Sequence, residues 1–229
     1  MARPPRAAEG GLIYHALNRA NARMRIFDDD ADYAAFAKIL AEVVTRTEMR
    51  LLAYCVMPNL FHLLVWPHGD GDLSAFMRLV TLTQTQRWHA HRHSAGTGHL
   101  YQGRFKSFPI QGDEHFLTAC RYVERNALRA GLVDRAEGWP WRSLSHGSSK
   151  GPRATTPELT PWPIPRPNDW LDRVNAPLSP AEEEALARSI RRGQPFGDRE
   201  WQAATSARLG LASTFRPRGR PKKSPENGS

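Results

Sequence analysis

The strongest constraint on the fold is a pair of apolar runs, residues 51–57 and 60–66, separated only by Pro58 and Asn59. Proline presets a turn and asparagine tolerates left-handed backbone angles, so the pattern predicts two antiparallel strands joined by a tight turn. A lone hairpin is marginal and needs further strands or a packed helix. The flanking sequence supplies both. Residues 12–17 (LIYHAL) and 104–110 predict two more strands, the second with Phe105, Ser107 and Pro109 alternating against Arg104, Lys106 and Phe108. Aspartates 28–30 can cap a helix whose apolar residues Tyr33, Phe36, Ala37, Leu40 and Val44 recur at helical spacing. A second helix carries Leu73, Phe76, Met77, Val80 and Trp88, and a third spans 115–130, ended by Gly131 as a C-terminal cap. The order βαββαβα predicts an α+β domain, an antiparallel sheet with helices packed on one face.

Near residue 145 the pattern changes. Prolines 152, 157, 161, 163, 165, 167, 177 and 180 crowd in, and proline removes backbone donors and resists helix and sheet. Three parts are expected: a folded part (1–145), a proline-rich linker or strap (146–181) and a small helical and basic C-terminal segment (182–229). The 32 Lys+Arg outweigh 23 Asp+Glu, a net charge of +9. That surplus points to a polyanionic partner, nucleic acid before membrane. No stretch approaches the roughly 20 apolar residues of a membrane-spanning helix. Residues 1–10 lack the apolar region of a secretory signal. Cys55 and Cys120 are too few for a disulfide scaffold. A cytoplasmic protein is expected.

Residues two apart in a strand share a face, so Leu60 and His62 lie on one side of the hairpin and Phe61 on the other. On the third helix, Phe116, Ala119, Val123, Ala127 and Ala130 form a core stripe, flanked by a polar face of His115, Thr118, Tyr122, Asn126 and Arg129. Taken alone, a histidine between Phe61 and Leu63 reads as a satisfied, half-buried side chain. A tyrosine beside a core stripe reads as packing with its hydroxyl at the rim. His89, His91, His93 and His99, with no cysteine or carboxylate partner nearby, read as a surface helix end rather than a zinc site.

Three spaced blocks change that reading: Met57-Pro58-Asn59-Leu60-Phe61-His62-Leu63-Leu64, then YQGRFKS at 101–107, then Tyr122 and Asn126 followed by Arg129-Ala130-Gly131-Leu132-Val133. In this order the first 145 residues resemble the single-tyrosine HUH transposases, in their REP-associated tyrosine transposase branch. The resemblance implies a ferredoxin-like domain that cuts and rejoins single-stranded DNA near hairpins through a 5′-phosphotyrosine. It makes Tyr122 the nucleophile and His62 and Asn126 ligands of a divalent metal ion, Mg²⁺ or Mn²⁺. Arg104, Lys106 and Arg129 become contacts to phosphate. His15, in the first strand, is near the site without an assigned role.

One residue departs from the family. The first histidine of the HUH pair is Leu60, which has no lone pair for a metal, so ion binding is expected to be weakened. Leu60 therefore also favours a second reading, a domesticated, catalytically impaired protein that binds hairpin DNA. An RNA-binding module is disfavoured, because no strand carries the paired aromatics that stack bases. In the tail, Arg218-Gly219-Arg220-Pro221 resembles the core of an AT-hook that enters A·T-rich minor grooves. The alternative is a solvated basic tail. Either a monomer or a homodimer is compatible with these features.

Overall fold

The computed structural model describes residues 8–145 and 156–216. Four strands form one antiparallel sheet: β1 (Ile13–Arg19), β2 (Arg50–Met57), β3 (Leu60–Trp66) and β4 (Lys106–Ile110), in the order β2-β3-β1-β4. Helix α1 (Asp30–Thr47) connects β1 to β2, and α2 (Asp72–His91) connects β3 to β4. This is the βαββαβ connection of ferredoxin-like sheets. Helix α3 (Glu114–Glu124) follows, then α4 (Asn126–Arg129), α5 (Trp170–Asn175), α6 (Pro180–Arg192) and α7 (Arg199–Arg208).

The strands bury nearly every position, so both faces of the sheet must be covered. On one face Tyr14, Ala16, Phe61, Leu63 and Val65 pack against Phe36, Leu40 and Val44 of α1 and Phe76, Met77 and Val80 of α2. On the other, Ile13, Cys55, Leu64, Phe108 and Ile110 pack against Phe116, Ala119 and Val123 of α3. The expectation of helices on one face therefore holds for α1 and α2 only; α3 takes the opposite face. The reason is in β2 and β3, which are apolar on both sides rather than alternating.

Local signals behave as the sequence predicts. Asp29 caps α1, its side chain accepting from the Asp32 amide at 2.9 Å. Gly131 sits at φ +69, the left-handed angle a helix end requires. The third predicted helix is interrupted, however. At Arg125 ψ opens to −5°, dividing α3 from α4. The Arg129 amide still donates to the Arg125 carbonyl at 2.9 Å, so the chain keeps turning. Ala130, expected in the core stripe, is exposed.

The chain after residue 155 packs onto this sheet. The Thr160 amide donates to the Leu51 carbonyl at 2.8 Å, and Trp162 Nε1 to the Leu52 carbonyl at 2.9 Å. Trp170 of α5, Leu186 of α6 and Phe196 join the core of the α3 face. Phe196 lies along β4, donating to the Pro109 carbonyl and accepting from the Gln111 amide, both at 2.9 Å. Both sheet edges thus spend some of their outward hydrogen-bonding groups within the molecule. Among the described residues no helix is long and apolar enough to cross a membrane.

Candidate active site

Strand register assembles the site on the sheet face covered by α3. Leu17 of β1 pairs with His62 of β3 on one side and Lys106 of β4 on the other. One step along, His15 pairs with Leu64 and Phe108; one step back, Arg19 pairs with Leu60. Residues directly opposite in antiparallel strands project to the same face. Leu60, His62, Arg19, His15 and Lys106 therefore share a surface, and Phe61 is in the opposite core, as the two-residue period predicts.

His15 Nε2 and His62 Nδ1 form a buried hydrogen bond of 2.8 Å, with the rings stacked 5.0 Å apart. Burial pushes His15 down to about 3. Burial, reinforced by His15, Arg129 and Arg19, holds His62 well below the usual histidine range. Both imidazoles are neutral at neutral pH.

Helix α3 sets Tyr122 against this pair. Its ring centre is 5.8 Å from His62 and 6.1 Å from His15, and only 8% of the residue is exposed. Tyr122 was expected on a polar face; the sheet buries it instead. Two turns further on, Arg129 Nη2 donates to the Tyr122 hydroxyl at 3.3 Å and to Asn126 Oδ1 at 3.5 Å. Burial raises the phenol above its ordinary value, with Arg129 and Arg19 pulling against it.

Tyr122 forms part of the wall of a cavity of about 270 Å³ that Arg19, Arg104, Lys106 and Arg191 also line. No Asp or Glu is among its lining residues. Arg104 lies just before β4 rather than within it, and Lys106 begins the strand. Two of these arginines escaped sequence reading. Arg19 could have been found, since it continues the His15–Leu17 alternation on the site face. Arg191 could not, because α6 reaches the cavity only through tertiary packing. Arg218 and Arg220 lie outside the described residues.

The donors suit a divalent ion in one limited way. Among the described residues no group of three or more His, Cys, Asp or Glu could hold a metal. His62 retains Nε2 as its second ring nitrogen. The buried Asn126 Nδ2 has no hydrogen-bond partner; turning the amide over would put an oxygen there and give up the 3.5 Å contact from Arg129. That makes two neutral donors for an ion whose remaining shell is water and phosphate, a pattern Mg²⁺ accepts. Leu60 is buried beside them and adds no donor. Arg19 and Arg129 disfavour a cation and favour an anion at the same place.

The fold is similar to the structure of a REP-associated tyrosine transposase bound to a REP hairpin. The TM-score is 0.53 at 18% identity, covering 71% of this chain and 96% of that one. A looser likeness, to a Deinococcus radiodurans r1 protein proposed to be a transposase, has a TM-score of 0.37 at 20% identity over 57% of this chain and 95% of that one. No curated protein matches the sequence. The model of the family described as "Transposase IS200 like" matches residues 9–126, from just before β1 through Tyr122 to Asn126. With that match spanning the sheet and the helix that carries the tyrosine, the chain belongs to the IS200-like transposase family.

Proposed function

We propose that this transposase-family protein acts on single-stranded DNA at hairpins, with Tyr122 as its nucleophile. The observation that carries the reading is Tyr122, whose hydroxyl accepts from Arg129 and which forms part of the wall of a cavity with four cationic side chains and no carboxylate among its lining residues. Such a cavity takes a phosphodiester. Arg19, Arg104, Lys106 and Arg191 line it and offset the phosphate charge, and Arg129, outside the lining, holds the phenol oxygen in one orientation.

In the step this geometry supports, Tyr122 Oη bonds to phosphorus and the P–O3′ bond breaks. The electron pair stays on the 3′ oxygen, which takes up a proton as the phenol loses one. One phosphodiester replaces another, so the reverse attack by a 3′-hydroxyl rejoins a strand without ATP. His62 and Asn126 would hold the divalent ion, which when bound polarises a phosphate oxygen. His62 is too weak a base to take the phenol proton at neutral pH, so its part is as a lone-pair donor oriented by His15. The hairpin bound by the structural relative supports DNA of that shape as the partner. The sequence tail with Arg218 and Arg220 adds a contact to A·T-rich duplex.

Leu60 supports a second reading, a hairpin binder that has lost cleavage. A denaturing gel of labelled single-stranded substrate separates the two when Leu60→His is run beside the parent: cleavage predicts an adduct in that variant, and a pure binder predicts none. The parent should give a weak covalent adduct or none, and Tyr122→Phe should give none while binding the hairpin within about threefold of the parent, a difference well under 1.4 kcal/mol. An adduct that persists in Tyr122→Phe overturns the assignment of the nucleophile.

A further inference from the structure

Helix α6 lies beyond residue 126, where the match to the family ends, yet it forms part of the Tyr122 cavity. Ala187, Ile190 and Arg191 line that cavity, and at spacings of three and four from Ala187 they share one face of the helix. The other lining residues include Leu17 and Arg19 of β1, Lys106 of β4 and Tyr122 of α3. At about 270 Å³ the cavity is smaller than the roughly 300–1,000 Å³ clefts that hold whole small molecules, so it suits the backbone of one strand and not a duplex.

Helix α6 is held at both ends. Ser179 and Glu182 form a reciprocal cap at its start, and Glu182 pairs at 3.5 Å with Arg121, the neighbour of Tyr122 in α3. Leu186 is fully buried in the core that α3 covers. Gly193 ends the helix at φ +75, and Phe196 then hydrogen-bonds along β4. Arg191 is therefore presented from a rigid base, which lowers the ordering cost of a contact made there.

The partner that Arg191 has in the protein alone points to the partner it takes from DNA. Its guanidinium pairs with Glu184 Oε1 at 3.0 Å, and Glu184 is not among the lining residues. The two side chains are 57% and 55% exposed, and surface pairs of this kind are weak. Glu184 is also paired with Arg188 at 3.6 Å, so it keeps a cation when Arg191 leaves. Glu183 of the same helix acts on the phenol in the opposite sense, raising it, and is not among the lining residues either.

We propose that α6 is part of the DNA site and that Arg191 gives up Glu184 to hold one internucleotide phosphate of the single strand at Tyr122. The proposal rests on the DNA reading above and adds to it a binding residue from outside the family match. A phosphate offers the guanidinium fork two acceptor oxygens, as the carboxylate does, and in the cavity it also meets Arg19, Arg104 and Lys106.

The test uses the full chain and a stem–loop DNA with a single-stranded flank, each flank phosphate replaced in turn by an uncharged methylphosphonate. Affinity is read by fluorescence anisotropy for the parent, Arg191→Ala, Arg191→Lys, Glu184→Gln and the double variant Glu184→Gln/Arg191→Ala, with melting curves to verify folding. One methylphosphonate position should weaken binding to the parent about fivefold, the scale of one charged hydrogen-bonded contact. The same position should cost Arg191→Ala less than about 1.5-fold, with Arg191→Lys between, and the other positions should cost both alike. Glu184→Gln should tighten binding about twofold, and the gain should vanish in the double variant. A methylphosphonate scan that is the same in the parent and Arg191→Ala overturns the phosphate contact and leaves the DNA reading standing. Tighter binding by Arg191→Ala overturns it too, because α6 would then obstruct the strand. A gain from Glu184→Gln that is missing, or that persists without Arg191, overturns the exchange of partners. A stem–loop bound no better than unrelated duplex overturns the DNA reading as well.

Discussion

His15 Nε2 and His62 Nδ1 are 2.8 Å apart, in a hydrogen bond buried between neighbouring strands. The bond occupies one of the two ring nitrogens of His62 and aims the other. Two places along β3 on the same face, where a second imidazole would complete the pair, stands Leu60. The support for the proposed ligand His62 is thus present, and Leu60 leaves it without a second imidazole. Leu60→His should raise adduct formation at least about tenfold, most with Mn²⁺, because a third protein donor strengthens binding of an imidazole-preferring ion. A denaturing gel of labelled substrate measures it. Equal adduct in the parent and Leu60→His would show that the missing histidine is irrelevant.

Arg129 touches both the Tyr122 hydroxyl and the Asn126 amide. Arg129→Ala should slow adduct formation about a hundredfold, the scale of losing one preorganised donor at a developing charge. Hairpin affinity should fall far less, since Arg19, Arg104 and Lys106 remain. Arg129→Lys should recover part of the rate. Rates measured in the Leu60→His background test this, and parallel losses of rate and affinity would make Arg129 a binding residue only.

The pH dependence follows from the buried phenol. Burial raises Tyr122 above its ordinary value, so the hydroxyl is protonated at neutral pH. Below that pKa the phenolate fraction grows up to tenfold per unit, so adduct formation should rise between about pH 6.5 and 9. Arg129→Ala removes a charge that favours phenolate and should displace the profile to higher pH. A rate that falls with rising pH in this window would exclude attack by the phenolate.

Trp170 couples the late segment to the sheet domain. Its Nε1 donates to Glu124 Oε2 at 2.8 Å and its ring packs edge-on to Trp162, 4.9 Å between centres. Trp170→Ala should cost about 3–5 kcal/mol in denaturant unfolding, and Trp170→Phe less. Cys55 and Cys120 report the same core. Burial pushes Cys55 up to about 12 and raises Cys120 as well. Neither should react with a thiol dye at pH 8 until the protein unfolds, and Trp170→Ala should speed the reaction by increasing opening. Prompt labelling of the parent would show that this core is open.

Affinity for hairpin DNA should fall with salt, each phosphate contact adding about −0.7 to the logarithmic slope for a single strand. Arg104→Ala should reduce the slope by about that much. Deleting residues 216–229 should weaken binding to A·T duplex more than to the hairpin. Equal losses would make the tail a general polyanion anchor.

Whatever rests on local periodicity was legible in the amino-acid sequence. A two-residue period put His62 and Leu60 opposite Phe61, and a helical period put Phe36, Leu40 and Val44 on one side of α1. Turn and cap chemistry set Pro58-Asn59, Asp29 and Gly131. The three motif blocks named the family before any contact was known. Tertiary structure decided what no local pattern encodes. The pairing of β1 with β3 brought His15 to His62 across the intervening helix and strand. Both faces of β2 and β3 are apolar, so α3 had to cover the second one, and that burial turned Tyr122 from a rim residue into a wall of the site. Packing of α6 carried Arg191 to the same cavity from far along the chain. Periodicity says which side of an element is apolar; only the burial of that side against a partner says which residues meet.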